Sequence, residues 1–264
     1  MKTVVTDLDG TLLFNGQLSE ETIQICQAFQ KENRLILATG RNLESTRRIY
    51  EALKMEQYQS GGLILLNGLA FYDFKDQEYR CLEAFDRKTA KKIVRIAYFL
   101  LFRITLVGKD ERLQLNSLYD RIFYFLRYVI KHKPMRKFNK NQVYPETVEK
   151  IELGRTLLFP FFYRILRFLL RDYEVIRVSQ YWVEIMPKTT NKLNQLKYVV
   201  DKYQISLEDL YVFGDGGNDV EMLKYAKHSY APVNALNEAK QAAHDECLAS
   251  ENNGVAMKIK AIFK

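Results

Sequence analysis

Two spacings of apolar residues alternate along the chain. Short runs dominated by apolar and β-branched residues occur at KTVVTDL (2–8), RLILATG (34–40) and GLILLNG (62–68). Between them lie segments with apolar positions at helical spacing, SEETIQICQAFQKEN (19–33) and NLESTRRIYEAL (42–53), the first with Ser19 as expected N-cap. Continuous apolar strands alternating with helices predict a parallel sheet covered on both faces. The same order returns after Pro187. A helix is expected at NKLNQLKYVVDKY (191–203), a strand at DLYVFGD (209–215), a helix at DVEMLKYA (219–226), a strand at SYAPV (229–233), and a last helix from Leu236.

The middle of the chain follows another pattern. Helical spacing at DRKTAKKIVRIAYFLLF, SLYDRIFYFLRYVIKHK and FYRILRFLLR is interleaved with strand-like RITLVG, RTLLF, YEVIRVS and YWVEIM. These strands alternate apolar and polar residues, as an antiparallel sheet with one covered face requires. The expectation is therefore an α/β protein in two domains. Residues 1–81 and 186–264 form a Rossmann-like core around a parallel sheet, and residues 82–185 form an inserted α+β domain.

Bulk composition adds limits. A length of 264 residues suits one large or two moderate domains, and 47% hydrophobic with 27% charged residues is ordinary for a soluble globular protein. The longest apolar stretches, AYFLLF (97–102) and LLFPFFY (157–163), are too short to span a bilayer, so no transmembrane helix is expected. Asp7 and Asp9 precede any hydrophobic signal core, so no secretory peptide is expected either. Three scattered cysteines, Cys26, Cys81 and Cys247, suggest neither a disulfide frame nor a zinc site, and fit a reducing cytoplasm. The net charge of +8 is uneven: residues 83–184 hold 21 basic and 11 acidic side chains, the remainder 19 and 21. The insertion alone is thus strongly basic, which suits an anionic ligand or a solvated basic face.

Candidate chemistry gathers where parallel strands end. DLDGT follows KTVVT, ATGR (38–41) follows LIL, GDGGND (214–219) follows LYVF, and PKTTNK (187–192) opens a helix. In open α/β sheets that edge is the ligand-binding one, so segments far apart in sequence can line one site. Asp7, Asp9, Asp215 and Asp219 would crowd negative charge there, and a hard divalent cation such as Mg²⁺ answers the repulsion. Thr39, Lys192, Asn218 and the amides around Gly10 and Gly40 supply phosphate-binding groups. Calcium loops are excluded, because their sixth and twelfth positions would be Leu12 and Leu18, or Val220 and Ala226. The phosphate loop of Walker type, GxxxxGK[ST], is absent. Together the residues suggest phosphoryl transfer through an attacking aspartate.

DLDGTL, LATGR, EIMPKTTNK and GDGGNDVEML, in that order, resemble the four motifs of the haloacid dehalogenase-like hydrolase superfamily. The large insertion between the second and third motifs, with PVNALNEAK and NNGVA in the tail, resembles its Cof-type phosphatases, subfamily IIB, whose cap is of the C2B type. This resemblance implies that Asp7 is the nucleophile forming an aspartyl-phosphate, and that Asp9 protonates the leaving oxygen and then activates water. It implies that Thr39 and Lys192 hold phosphate oxygens, with Gly40, Arg41 and Asn218 near the substrate. Mg²⁺ would be held by Asp7, the Asp9 carbonyl, Asp215 and Asp219. Ion-pumping relatives carry Thr at the Asp9 position, so an Asp there favours fast hydrolysis. Departures from the family pattern are Leu193 for a common Gly, Thr189–Thr190–Asn191 for Gly-Val-Ser, and Gly217, which is expected to loosen its loop.

The expected activity is hydrolysis of small phosphomonoesters, sugar phosphates or similar, in the cytoplasm, by a monomer or weak dimer. A phosphomutase of similar architecture, like the eukaryotic phosphomannomutases, and a non-catalytic regulatory protein on the same scaffold stand as alternatives. Neither nucleic acid nor membrane is expected as a partner. Arg41 is expected to touch ligand or pair with Glu44. Trp182 and the Phe/Tyr stripes of the insertion are expected to pack in its core. The basic run FYFLRYVIKHKPMRKFNKNQ (123–142), with Arg136 and Lys137, is expected to steer anionic substrates.

Overall fold

The computed structural model describes residues 1–109, 112–115, 117–131, 144–154, 159–188 and 191–263. Arg136 and Lys137 in the basic run, and Thr189 and Thr190, lie outside the described residues. The chain divides into two compact units, Met1–Leu82 with Thr190–Lys264, and Glu83–Thr189.

The first unit is built on an eight-stranded sheet. Its order is Asp245–Cys247, His228–Pro232, Leu210–Phe213, Thr3–Asp7, Arg34–Ala38, Gly62–Leu65, Ala70–Asp73, Glu78–Cys81. The first six strands run parallel, and the last two turn back as an antiparallel hairpin. Val4, Val5, Leu35, Ile36, Leu37, Leu63, Ile64 and Val212 are fully buried, as strands covered on both faces must be. Ser19 caps the helix Glu20–Gln30 by accepting the Thr22 N–H, and Asn42 does the same for Leu43–Ala52 through Ser45.

The hairpin is anchored by a buried acid. Asp73 is fully buried, its Oδ1 accepts the Lys75 N–H at 2.9 Å, and Lys202 Nζ lies 2.6 Å from its Oδ2 and 3.0 Å from Asp76. Burial pushes the Asp73 carboxyl up, but bonds from Lys202, Tyr203 and Lys75 outweigh it and hold the group below its ordinary value. Its stabilisation is therefore present above the unfolded pKa and lost as pH falls through the folded one. Asp73→Asn is expected to lower unfolding free energy by about 2 kcal/mol near pH 7. In urea titrations that difference should shrink once the pH falls below the ordinary Asp value.

The second unit carries a five-stranded antiparallel sheet in the order Glu174–Ser179, Trp182–Met186, Lys150–Gly154, Arg103–Val107, Arg112–Leu115. Helices Arg87–Phe99 and Phe159–Leu169 pack on the face formed by Ile104, Leu106, Ile151, Leu153, Val183 and Ile185. Positions 155–158 of the expected strand RTLLF lie outside the described residues, and Phe159 opens a helix instead. The middle strand, Lys150–Gly154, carries no apolar run, which is why its sequence does not announce it. Its Lys150 is buried because Nζ donates to Glu184 at 2.8 Å and lies 3.3 Å from Glu152. Trp182 packs against the Gly154 backbone, while Phe102 and Phe159 join the core. Other aromatic positions depart from the core expectation: Phe99, Phe123, Phe125, Phe161 and Phe168 are exposed.

Candidate active site

Asp7 is the last residue of the central strand, flanked on either side by the parallel strands that end in Ala38 and Phe213. The chain beyond each of these ends supplies one side of a small polar cluster. Past Asp7 the backbone turns at Gly10, where φ is +93°. A Cβ at Gly10 would lie 2.5 Å from Asp215 Oδ2, so two loops can meet there only because the residue has no side chain. Thr11, buried in the same turn, donates from Oγ1 to Asp215 Oδ1 at 2.6 Å.

Lys192 enters from the first turn of the helix Lys192–Tyr203, whose N-cap is Asn191, accepting the Leu193 N–H at 2.6 Å. The ammonium is fully buried and donates to Asp7 Oδ1 at 2.5 Å and Asp219 Oδ1 at 2.7 Å. Asp219 uses its other oxygen to accept the N–H groups of Asp215 and Gly216, both at 3.0 Å. Burial works against the Lys192 charge, yet Asp7 and Asp219 together hold its pKa well above the ordinary value. Burial pushes Asp7 up to about 7 against the pull of Lys192, with the charge of Asp219 adding to the rise. Asp215 is also raised, chiefly by burial. Carboxylate oxygens of Asp7, Asp215 and Asp219 lie within 4.8 Å of one another.

Asp9 and Arg41 form a separate pair. Asp9 is 54% exposed and accepts from Arg41 Nε at 2.8 Å and Nη2 at 2.5 Å. Arg41 therefore does not pair with Glu44, which instead binds Arg47. Thr39 is buried, and its hydroxyl oxygen accepts the Arg41 N–H at 3.2 Å. Asn218 donates from Nδ2 to Asn67 at 3.0 Å, and the Gly40 backbone approaches the same Asn67 amide. A Cβ at Gly217 would lie 2.4 Å from Glu238 Oε1, the far end of a side chain that can move aside.

Residues 4–259 match the family model described as haloacid dehalogenase-like hydrolase. The chain belongs to this family. Among curated proteins, a Bacillus subtilis 5-amino-6-(5-phospho-D-ribitylamino)uracil phosphatase, YitU, is 25% identical over 98% of this chain and 97% of its own length. Another of the same description and organism, YcsE, is 26% identical over 98% and 95%. A solved haloacid dehalogenase-like hydrolase from Bacteroides thetaiotaomicron superimposes with a TM-score of 0.84 at 24% identity, covering 99% of each chain. A subclass IIB sugar phosphatase, BT4131, gives 0.72 at 19% identity, again over 99% of each. The protein is a haloacid dehalogenase-like hydrolase of the Cof type, with the α/β core and inserted cap of that group, and a phosphoric monoester hydrolase.

One element of this hydrolase is absent from the sequence reading. Leu66, Asn67 and Gly68 all have left-handed φ, at +52°, +56° and +96°. Each non-glycine residue there costs about 1 kcal/mol, so the turn persists only where its surroundings fix it. They do: Leu66 N–H donates to the Arg41 carbonyl and Asn67 N–H to that of Thr39, both at 3.0 Å, and Gly68 lies against Asn191. The Asn-Gly pair after GLILL is a readable turn signal, but nothing in it foretells that Asn67 would reach Asn218.

Proposed function

We propose that the protein hydrolyses small phosphomonoesters, sugar phosphates or similar, through an aspartyl-phosphate on Asp7 with Mg²⁺ as cofactor. The observation that carries this reading is the buried Asp7–Lys192–Asp219 chain at the end of the central strand, beside Asp215. Three carboxylates facing one ammonium leave an excess of negative charge that a divalent cation would balance, so the residues fit Mg²⁺. Asp7 and Asp215, with the Asp9 main-chain carbonyl, would hold it. Asp219 already commits one oxygen to Lys192 and the other to two backbone amides, which suits it to fixing the loop. Bound there, the cation would offset charge on the phosphoryl group.

In this mechanism an Asp7 carboxylate oxygen attacks phosphorus, and the bond from phosphorus to the ester oxygen breaks. Asp9 gives its proton to that oxygen, then takes one from the water that cleaves the aspartyl-phosphate. Asp9 is bound to Arg41 in the structure, so Arg41 must release it for the carboxyl to reach the leaving oxygen. Lys192, held by two acids, has its ammonium placed at the nucleophile, where its charge would offset that of a phosphoryl group. Thr39, whose hydroxyl oxygen accepts the Arg41 N–H, would donate its own proton to a phosphoryl oxygen. Asn67, by accepting from the Asn218 amide, fixes its position at this end of the sheet.

A panel of phosphate esters assayed with Mg²⁺ and after chelation tests the reading. Turnover should fall at least a hundredfold on metal removal and return with added Mg²⁺. Equal rates in chelator, or retention of phosphate on a product sugar in place of free phosphate, would overturn it.

A further inference from the structure

We infer that the helical face of the inserted unit docks on an anionic phospholipid surface. The helices Arg87–Phe99 and Phe159–Leu169 bury Ala90, Ile93 and Ala97, and Phe159 and Leu166, in one cluster with the same face of the five-stranded sheet. Their opposite sides therefore point outward from one layer. On the first helix the outward positions are Lys88, Lys92, Arg95 and Phe99, with Phe99 65% exposed. On the second they are Phe161, Arg164, Arg167 and Phe168, with Phe161 and Phe168 59% and 71% exposed. Neither helix contains an acidic residue, and the nearest acids, Asp86 and Asp172, stand beyond their ends.

Large exposed phenylalanines rimmed by Lys and Arg are costly in water and suit a surface with an anionic, hydrated outside and an apolar inside. A second copy of the chain would set like charges face to face, since residues 83–184 carry ten more basic than acidic side chains. Stacked bases of a nucleic acid would satisfy the rings but not Leu169, an aliphatic side chain exposed on the same helix with no π-face to offer. A bilayer interface satisfies all three kinds of group: headgroup phosphates meet the cations, and the acyl boundary takes Phe and Leu alike. Among the described residues no helix is long and apolar enough to cross a membrane, so the contact would be peripheral.

The test is flotation of the full chain with phosphatidylcholine vesicles and with vesicles containing roughly one-third phosphatidylglycerol, in about 0.1 M and about 0.5 M salt. Binding should require phosphatidylglycerol and fall away at the higher salt. The charge reversal K92E/R95E should weaken partitioning roughly 25-fold or more, and F161S/F168S at least roughly tenfold. Both variants change exposed residues and should hydrolyse a soluble ester like the parent, which separates a lost contact from a lost fold. Failure to float with phosphatidylglycerol vesicles, or variants that float like the parent, would overturn the inference. So would a concentration-dependent dimer, or tighter binding of single-stranded RNA, abolished by the same substitutions.

Discussion

Replacing Asp7 with Asn is expected to lower phosphate release on the order of 10⁴-fold or more, the scale seen when a covalent nucleophile is removed. The fold should survive. Lys192 keeps its bond to Asp219, and the amide retains an oxygen acceptor where Asp7 Oδ1 stood. Stability should even rise at neutral pH. Burial raises the folded pKa of Asp7 to about 7, so the ionised carboxyl opposes folding, and that opposition grows as pH rises from the ordinary Asp value toward 7. An amide has no such cost. Phosphate release measured beside thermal melts near pH 8 separates the two effects. An Asp7→Asn protein that retains full turnover would eliminate the aspartyl-phosphate, and one that is inactive but unfolded would leave Lys192 with too large a share in the design.

Lys192→Met should do the reverse to stability. It strips the cation from a site where the lysine side chain is fully buried and Asp219 nearly so. Removing one partner of a buried ion pair costs about 3–5 kcal/mol, because the remaining charge has neither water nor a counterion. Here two carboxylates are left, so the expected loss lies toward the upper end. Activity should fall with it, since the nucleophile loses its orienting donor. Lys192→Arg is the informative companion: the planar guanidinium restores charge but cannot occupy a space shaped for a single ammonium. It should recover part of the urea midpoint and little of the turnover. A Lys192→Met protein as stable as the parent would overturn the charge balance of the site.

The elements that carry this site were legible because they obey local rules. Between their end residues the strands Thr3–Asp7, Arg34–Ala38 and Leu210–Phe213 carry no charged residue and, apart from the buried Thr6, only aliphatic and aromatic side chains, as strands covered on both faces favour. Ser19 announces its helix by capping it. What stayed hidden depends on partners distant in sequence. The strand Lys150–Gly154 looks solvated until Glu184 is placed beside Lys150. The hairpin Ala70–Cys81 has an edge strand that alternates exposed and half-buried residues, too weak a pattern to stand out. Arg41 had Glu44 as its neighbour in sequence and Asp9 as its partner in space. Periodicity reports which face of an element is buried, and says nothing of which loop will lie against it.

The central strand has a consequence for the order in which the protein is made. Thr3–Asp7 pairs with Arg34–Ala38 on one side and with Leu210–Phe213 on the other. The first partner follows almost at once, but the second is translated roughly 200 residues later, some 10–40 s at ordinary elongation rates. For that interval the strand destined for the middle of the sheet is an open edge ending in Asp7, and for most of it Lys192 is not yet synthesised. The insertion, a compact unit with its own core, is completed within that interval. Newly made chains therefore pass through a stage in which the inserted unit can be folded while the core still holds an open edge, the kind of edge that other chains can pair with.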